Sequence, residues 1–455
     1  MDDGERTAEA KIADWLHERL GGRVLRIERQ ARWRPVWFVE LECEGERLAL
    51  CVRGERTDMP MVFPLEHEMR FQSLLHGFGI PVARVHGWIE DPPAYVMDRV
   101  PGREDFAGTG DDERRAVVDH YLQLLARLHA LPLQPFVEAG IRRAATPAES
   151  GRLGIQRYEQ IFRERKRHPE PLMEFCLGWL KRNWPDTRGR EAPVLWDGGQ
   201  FHHGGGRVLA ALDLELGHIG DPMMDLAGWR IRDTVIGYGD FDALYARYAE
   251  LSGRPVDLDA IRVYYFAFTL TNHLALGATL REPPPGSDVM INLRWCSETD
   301  LFAIEALAEI LGIELPEVDA PAPRPSVVRG LHEHLVRSLR ALHTGDAYHD
   351  HQLHVAFRLA RHLQRHDEIG QAVLEADLDD LATLLGSRPA DWQQAEAALE
   401  RFVLADAAAG RHDRDLVPLF HRINRRAQLL LGPAGSAMTR HFPAQHFDRR
   451  TRRTV

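Results

Sequence analysis

A change of hydrophobic pattern near residue 110 is the strongest constraint on the fold of this chain. Before it, the runs VLRIERQ, VWFVELEC, RLALCVRG, ARVHGWIE and AYVMDRV are rich in β-branched and aromatic residues and predict strands. Helical spacing of apolar residues at 5–20 and 62–78 predicts two helices. The first hundred residues are therefore expected to form a small antiparallel sheet accompanied by two helices.

Long amphipathic helices dominate from residue 111 to 316, with one exception. Between Val194 and Asp213, two short apolar runs flank Gly204-Gly205-Gly206, a pattern that predicts a β-hairpin. The Pro/Ala-rich stretch PEVDAPAPRPS then predicts a linker. More helical segments follow to about residue 432, so one hairpin is set among many helices.

Charge and composition exclude several classes of protein. The chain has 57 basic and 68 acidic residues, a net charge of −11, which argues against nucleic acid or a membrane as the main partner. No window approaches 18 apolar residues, and the start MDDGERTAEAK is acidic where a signal peptide is basic and then apolar. The four cysteines are too scattered for a disulfide framework or a zinc knuckle. We therefore expect a cytoplasmic protein.

The segment LDLELGHIGDPMMDLA, residues 212–227, carries the most specific signal in the chain. It resembles the "metal aspartate, then GDPxxDLA" segment of the aminoglycoside phosphotransferase-like family, also called the phosphotransferase enzyme family. With the order of strands and helices, the resemblance covers about residues 20–315. It implies an α+β, protein-kinase-like two-lobe fold, with a small antiparallel sheet lobe and a mainly helical lobe. The helical pattern beyond the linker adds an all-α C-terminal domain to this prediction.

The resemblance and the sequence patterns together predict a division into domains. Residues 1–100 are expected to form the nucleotide lobe and residues 101–316 the helical lobe with the catalytic hairpin. Residues 317–326 form the linker. Residues 327–455 are expected to be a helical domain with a disordered, Arg-rich tail after residue 440.

The resemblance assigns the metal and the catalytic positions. Asp213 matches the main Mg²⁺ carboxylate of the family, although an Asp after a strand is also a common helix N-cap. The family pattern HGDxxxxN corresponds here to VLWDGGQFHH, where an ungapped count puts Gln200 in place of the metal-binding Asn. Asp197 fits the catalytic Asp if the loop is two residues shorter. The ungapped count puts Leu195 there instead, which leaves no catalytic carboxylate.

The resemblance also assigns nucleotide contacts in the small lobe. Arg53 occupies the place of the phosphate-binding lysine, and a planar guanidinium is not equivalent to an ammonium group. Glu68 matches the glutamate that pairs with that cation, the alternative being a solvated helix charge. Met97 lies where the family hinge meets adenine, the alternative being a core residue.

Other residues near these positions receive structural interpretations. The loop expected over the phosphates lacks glycine, and its Arg32 and Arg34 either clamp anions or line the rim of the lobe. Asp221 and Asp225 of the GDPxxDLA segment are expected to brace the catalytic loop. His129 is expected to be a core or capping residue.

These residues predict a small-molecule kinase that transfers the γ-phosphoryl of ATP (or GTP) to a hydroxyl group through Mg²⁺. The alternative is a weak or inactive pseudokinase that serves as a nucleotide- or protein-binding scaffold, because the lysine, the asparagine and the glycines are all replaced. The helices after Asp225 are apolar and aromatic, which favours an alcohol on an apolar body, such as a hydroxyacyl-CoA, over an aminoglycoside. A homodimer or a protein partner at the C-terminal helices is left open.

Overall fold

The computed structural model describes residues 7–30, 34–56, 60–284, 287–433 and 435–447. The strands are β1 Arg23–Arg29, β2 Val36–Cys43, β3 Glu46–Gly54, β4 Val85–Ile89, β5 Ala94–Asp98, β6 Ala192–Val194, β7 Phe201–Gly204, β8 Arg207–Ala211 and β9 His218–Gly220. The helices are α1 Ala8–Leu20, α2 Leu65–Gly77, α3 Asp111–Leu128, α4 Gln134–Glu138, α5 Pro147–Ser150, α6 Leu153–Arg165, α7 Pro171–Arg182, α8 Met223–Ile236, α9 Phe241–Ser252, α10 Leu258–Thr269, α11 Thr271–Arg281, α12 Val289–Leu311, α13 Arg329–Ala341, α14 Ala347–Arg365, α15 Gln371–Leu385, α16 Trp392–Asp406 and α17 Asp413–Leu429.

The chain divides into two compact units. The first contains the described residues of Met1–Gly154, Thr187–Asp257 and Phe447–Val455, and the second contains those of Ile155–Asp186 and Leu258–His446. The predicted fold class, a small antiparallel sheet with mainly helical structure after it, is confirmed.

The sheet of the first unit has the order β1-β2-β3-β5-β4, and all of its pairings are antiparallel. Ile12 and Leu16 of α1 pack in the same apolar cluster as Leu50 of β3, which fixes that helix on the sheet. Cys51 pairs with Met97 in the register of β3 and β5. Because side chains alternate along a strand, residues 51, 53, 95 and 97 share one face of the sheet.

The predicted hairpin is confirmed as β7 and β8, with Gly205 and Gly206 in its turn. Both glycines have positive φ, at 58° and 74°, which is the conformation that a tight hairpin turn needs. A second ladder pairs β6 with β9, so the strand before the predicted catalytic loop lies beside the segment that follows Asp213. These two ladders hold residues 195–213 at both ends.

The second unit joins α6 and α7 to the C-terminal helices. The Arg182 guanidinium contacts the Asp413 carboxylate at 2.7 Å, and the ring centroids of Phe175 and Phe420 lie 5.3 Å apart. Residues that sequence patterns assign to the large lobe therefore share a core with residues beyond the predicted linker. The predicted domain limits stay predictions.

The chain end differs from the expectation of a disordered tail after residue 440. His441 contacts Glu305 through an Nε2–Oε1 distance of 2.7 Å, and the buried ring of Phe447 lies 4.0 Å from the Arg230 guanidinium. The rest of the predicted tail, residues 448–455, lies outside the described residues. Among the described helices, none combines the length and the apolar character needed to cross a bilayer.

Candidate functional site

A cavity of about 1130 Å³ in the first unit collects most of the predicted site residues. Its wall includes strands β2, β3 and β5, the stretch 98–105 and the β7–β8 hairpin. The predicted residues that line it are Arg53, Glu68, Met97, Gln200 and Asp213. The sheet face described above and the hairpin therefore meet at one open volume, with Asp213 at its edge.

Asp213 lies in the left-handed region of backbone conformation, with φ 55°, directly after β8. Its Oδ1 accepts a hydrogen bond from Arg53 Nη2 at 2.7 Å, and its Oδ2 accepts one from Gln200 Nε2 at 3.2 Å. Asp213 occupies the N-cap position of the short helical turn that follows, but its side chain makes no capping bond to that turn. Burial alone raises the pKa of Asp213, but the arginines around it outweigh burial and hold that pKa far below its usual range.

Asp197 is connected to Asp213 through Gln200. Gln200 Nε2 donates to Asp197 Oδ2 at 2.8 Å as well as to Asp213, and we call these three residues the carboxylate chain. Arg232 donates from Nε to Asp197 Oδ1 at 3.0 Å and from Nη2 to Oδ2. Burial raises the pKa of Asp197 against the opposing effect of Arg232. Leu195, which the ungapped count aligns with the catalytic Asp of the family, has its side chain buried in the core.

Asp225 holds the loop that presents Asp197, as its segment predicts. Its carboxylate accepts the backbone N–H groups of Leu195 at 3.1 Å and Trp196 at 2.5 Å, and it also contacts His129. Trp196 has φ 62°, a conformation that costs a residue with a side chain about 1–3 kcal/mol. Because strain of this kind persists only where neighbours enforce it, the loop is held in one shape next to Asp197.

We expect Gly228→Ala to disrupt this loop. A Cβ atom at residue 228 would lie 2.0 Å from the carbonyl oxygen of Trp196, so the loop or α8 must move. Overpacking of this kind costs about 1–3 kcal/mol and should lower the melting temperature by several degrees. Gly110→Ala is the control, because that Cβ meets no atom within 4 Å. Equal melting temperatures for the two variants would contradict the close contact.

Arg53 and Glu68 form the ion pair that the resemblance implies. Arg53 Nε lies 2.8 Å from Glu68 Oε1, and Glu68 is 2% exposed. The hydroxyl of Tyr95 also donates to Glu68 Oε1, at 3.1 Å. A solvated helix charge, the alternative for Glu68, is therefore wrong.

Sequence reasoning missed the role of Glu215 and left that of Arg34 undecided. Arg34 is buried, and its guanidinium contacts Glu68 at 3.4 Å and Glu215 at a shorter distance. Arg53 Nη2 also reaches Glu215 Oε2 at 3.5 Å. Arg34 therefore does not line the rim of the lobe, whereas Arg32 lies outside the described residues. The available signal for Glu215 was its position two residues after Asp213.

Met97 lies in the cavity wall on β5, beside its register partner Cys51 on β3, and its side chain is only half-buried. Gln72 Nε2 donates to its sulfur at 3.4 Å. Close to it, the Arg99 guanidinium lies 4.0 Å from the centre of the Phe38 ring, and both residues line the cavity. This end of the cavity combines apolar and planar groups, unlike the charged end at Asp213.

The residues able to hold a divalent cation are those of the carboxylate chain. Within the described ranges, no three His, Cys, Asp or Glu side chains group as a ready metal centre. Asp213 supplies an ionised carboxylate at the cavity edge, and Gln200 supplies an amide whose nitrogen and oxygen exchange by a half-turn. Oxygen ligands of this type suit Mg²⁺, which keeps several waters of its own.

Part of the chain matches a known protein family. Residues 61–264 match the phosphotransferase enzyme family. Acyl-CoA dehydrogenase family member 11 from Rattus norvegicus is 29% identical over 212 residues, 44% of this chain and 27% of the relative. Family member 10 from Mus musculus is 27% identical, over 42% of this chain and 19% of the relative. The match therefore spans about a quarter of these relatives or less.

Two solved structures align with part of this chain at low sequence identity. Choline kinase LicA from Streptococcus pneumoniae is 16% identical, with a TM-score of 0.48, over 66% of this chain and 98% of its own. Macrolide 2'-phosphotransferase MphH from Brachybacterium faecium is 21% identical, with a TM-score of 0.43, over 60% of this chain and 93% of its own. The family match contains Glu68, Met97 and the whole carboxylate chain. Residues 61–264 of this chain are therefore similar to the phosphotransferase enzyme family over the part that contains these side chains.

Proposed function

We propose that this chain is a small-molecule kinase that transfers the γ-phosphoryl group of ATP, or of GTP, to a hydroxyl group. The observation that carries the proposal is the carboxylate chain beside the cavity. In it the pKa of Asp213 is far below its usual range, and Asp197 is linked to Asp213 through the amide of Gln200. Phosphoryl transfer needs a metal carboxylate and a separate carboxylate at the acceptor, and Asp213 and Asp197 fit those two roles.

The nucleotide is assigned to the cavity between the sheet and the hairpin. Its base would lie at the apolar end with Met97, and its phosphates would lie toward Arg53. The Arg53–Glu68 pair fixes the guanidinium, so that Arg53 reaches the phosphates without a large entropic cost. Mg²⁺ bound by Asp213 and Gln200 would neutralise phosphate charge when present.

Asp197 is assigned to the acceptor hydroxyl. The hydroxyl oxygen forms a bond to the γ-phosphorus, the bond from that phosphorus to the β–γ bridging oxygen breaks, and ADP, or GDP when GTP is the donor, leaves with the bonding electrons. The hydroxyl proton passes to an oxygen of Asp197, whose pKa is raised by burial against the effect of Arg232. Arg232 orients the carboxylate through two hydrogen bonds, and its half-exposed side chain leaves room for the acceptor to displace one of them.

For the acceptor we propose an alcohol on an apolar body, with a hydroxyacyl-CoA as the first compound to test. Its support is the apolar and aromatic sequence after Asp225. The names of the relatives, which refer to acyl-CoA dehydrogenases, agree with a substrate of the acyl thioester class.

Thermal unfolding with nucleotides tests the first step of the proposal. The protein is heated with ATP, GTP or ADP, each with Mg²⁺ or with a chelator. A nucleotide at about 100 times its Kd stabilises the folded state by about 2.7 kcal/mol, a shift of several degrees. We expect a shift that depends on Mg²⁺ for ATP or GTP. No shift with any nucleotide would contradict nucleotide binding in the cavity.

A scaffold without efficient catalysis is the second candidate. The observation in its favour is that arginines engage both aspartates, because Arg53 contacts Asp213 and Arg232 contacts Asp197. If these pairs do not open, metal and acceptor have no access to the carboxylates. Nucleotide binding that is equal with Mg²⁺ and with chelator, together with no phosphate transfer to any alcohol, would favour this candidate.

A further inference from the structure

The loop between Asp197 and Gln200 is short and consists of glycine alone. Gly198 and Gly199 are its only residues, two fewer than in the pattern HGDxxxxN. Glycine has the widest choice of backbone conformations, so a link of two glycines does not fix the position of one end relative to the other. The distance between the Asp197 carboxylate and the Gln200 amide therefore depends on contacts of the loop with other elements.

Two tyrosine hydroxyl groups bond to the backbone on either side of Gly199. The Gly199 N–H donates to the hydroxyl oxygen of Tyr121, on α3, at 2.6 Å. The hydroxyl of Tyr238, just after α8, donates to the Gly199 carbonyl oxygen at 2.5 Å. The N–H lies in the peptide plane shared with Gly198, and the carbonyl lies in the plane shared with Gln200. Because a peptide group is planar, these two bonds restrain both planes that lead to Gln200.

The two tyrosines are themselves held by packing. Tyr121 is 1% exposed and Tyr238 is 4% exposed, and the ring centroid of Trp229 lies 5.3 Å and 5.2 Å from theirs. A Cβ atom at residue 199, where φ is 90°, would lie 2.5 Å from the Trp229 ring, so the packing also requires glycine there. Burial raises the pKa of both hydroxyl groups, which keeps them protonated at neutral pH.

We propose that Tyr121 and Tyr238 are positioning residues of the phosphate-transfer site, which hold Asp197 and Gln200 at the spacing that the carboxylate chain requires. This inference rests on the proposed function, because the spacing matters only if the two side chains act in the transfer. Neither tyrosine lines the cavity assigned to the nucleotide, so each acts through the loop. The rate of transfer should therefore depend on the two hydroxyl groups, whereas nucleotide binding should not.

Tyr245 provides a matched control for the loss of a buried hydroxyl group. Its side chain is 2% exposed, and its hydroxyl donates to the Leu226 carbonyl oxygen at 2.7 Å in the same unit. That carbonyl belongs to α8 and not to the loop. Tyr238→Phe and Tyr245→Phe each remove one hydroxyl donor from a buried backbone carbonyl, so both variants are expected to lose stability. Only Tyr238→Phe is expected to change the rate of transfer.

The first measurement compares kcat for Tyr238→Phe, Tyr121→Phe and Tyr245→Phe with kcat for the unchanged protein, with one alcohol as acceptor. We expect kcat to fall about 10–100-fold for Tyr238→Phe and for Tyr121→Phe, because a misplacement of about 1 Å at a catalytic group costs about 100-fold. Tyr245→Phe should keep the original kcat. The KM for the nucleotide should stay the same in all three variants, and circular dichroism checks that each keeps its helices.

A double-mutant cycle tests whether Tyr238 acts through Asp197. If the tyrosine positions the carboxylate, Tyr238→Phe should change kcat much less in a protein that already carries Asp197→Asn, because residues that act as a unit have non-additive effects. Effects of the two substitutions that multiply in full would contradict a role through Asp197.

Hydrogen exchange measures the loop without reference to activity. Tyr121→Phe removes the acceptor of the Gly199 N–H, so amide exchange in residues 195–201 should become faster than in the unchanged protein. Tyr245→Phe should leave the exchange of that segment as it is.

Two results would overturn the inference and leave the proposed function intact. The first is an equal kcat for Tyr238→Phe and Tyr245→Phe, which would show that the tyrosine hydroxyls only stabilise the core. The second is equal exchange of residues 195–201 in Tyr121→Phe and in the unchanged protein. In contrast, no transfer by the unchanged protein to any alcohol would overturn the proposed function and the inference with it.

Discussion

Asp213→Ala is expected to lower the rate of phosphate transfer by about three orders of magnitude or more. The metal at a transferred phosphoryl group contributes several kcal/mol to the transition state, and each ~1.36 kcal/mol is a factor of ten in rate. The pKa of Asp213 is held far below its usual range, so the substitution removes the ionised carboxylate that we propose as the main oxygen ligand. The measurement is kcat by radiolabelled phosphate transfer to a hydroxyacyl-CoA or to another alcohol that a screen identifies.

The fold should survive this substitution. Arg53 keeps Glu68 and Glu215 as partners, so the change does not leave a buried cation alone. The matched control is Asp119→Ala, which also removes an aspartate from an arginine pair, here with Arg247, but outside the cavity. We expect the control to keep the original kcat. Undiminished activity in Asp213→Ala would contradict its role as a metal ligand.

The same variant separates the two candidate functions. In a kinase, Asp213→Ala should also abolish the part of the nucleotide-induced thermal shift that depends on Mg²⁺. In a scaffold, nucleotide binding does not depend on the metal, and the variant should bind as well as the original protein. The removal of Asp213 even favours nucleotide binding in that case, because Arg53 Nη2 loses its 2.7 Å contact with the aspartate and is more available to phosphates.

Local sequence patterns predicted the parts of the fold that are determined by neighbouring residues. The runs of β-branched and aromatic residues became the five-stranded sheet, and three consecutive glycines marked the hairpin turn. The segment 212–227 predicted where Asp213 and the bracing Asp225 lie, because its spacing is fixed by one turn and the start of one helix. Sequence proximity carried the information in each case.

Contacts between distant residues were not predictable in the same way. Arg232 follows Asp197 by 35 residues and lies in an apolar stretch, where its charge gave no indication of a partner. Arg34 reaches Glu215 across 181 residues from a loop that lacks the expected glycines. The packing of α7 with α16 and α17 was missed because amphipathic periodicity predicts a buried face but does not identify the element that covers it.

Asp197→Asn is the second substitution with a large expected effect, a decrease in kcat of about 10²–10⁴-fold. Asparagine has nearly the same shape and still offers one oxygen to Arg232 and to Gln200, but it does not accept the hydroxyl proton. The Kd for nucleotide should stay the same, because Asp197 does not line the cavity assigned to the nucleotide.

The result for Asp197→Asn also decides between the two alignments of the loop. In the shortened loop, Asp197 is the acceptor carboxylate and kcat must fall. In the ungapped alignment, Leu195 takes that position and no carboxylate accepts the proton, so Asp197→Asn should leave kcat near that of Asp119→Asn, its matched control. Leu195 is buried away from solvent, whereas Asp197 hydrogen-bonds to Gln200 at the cavity edge. That geometry is the physical reason to expect the fall in kcat.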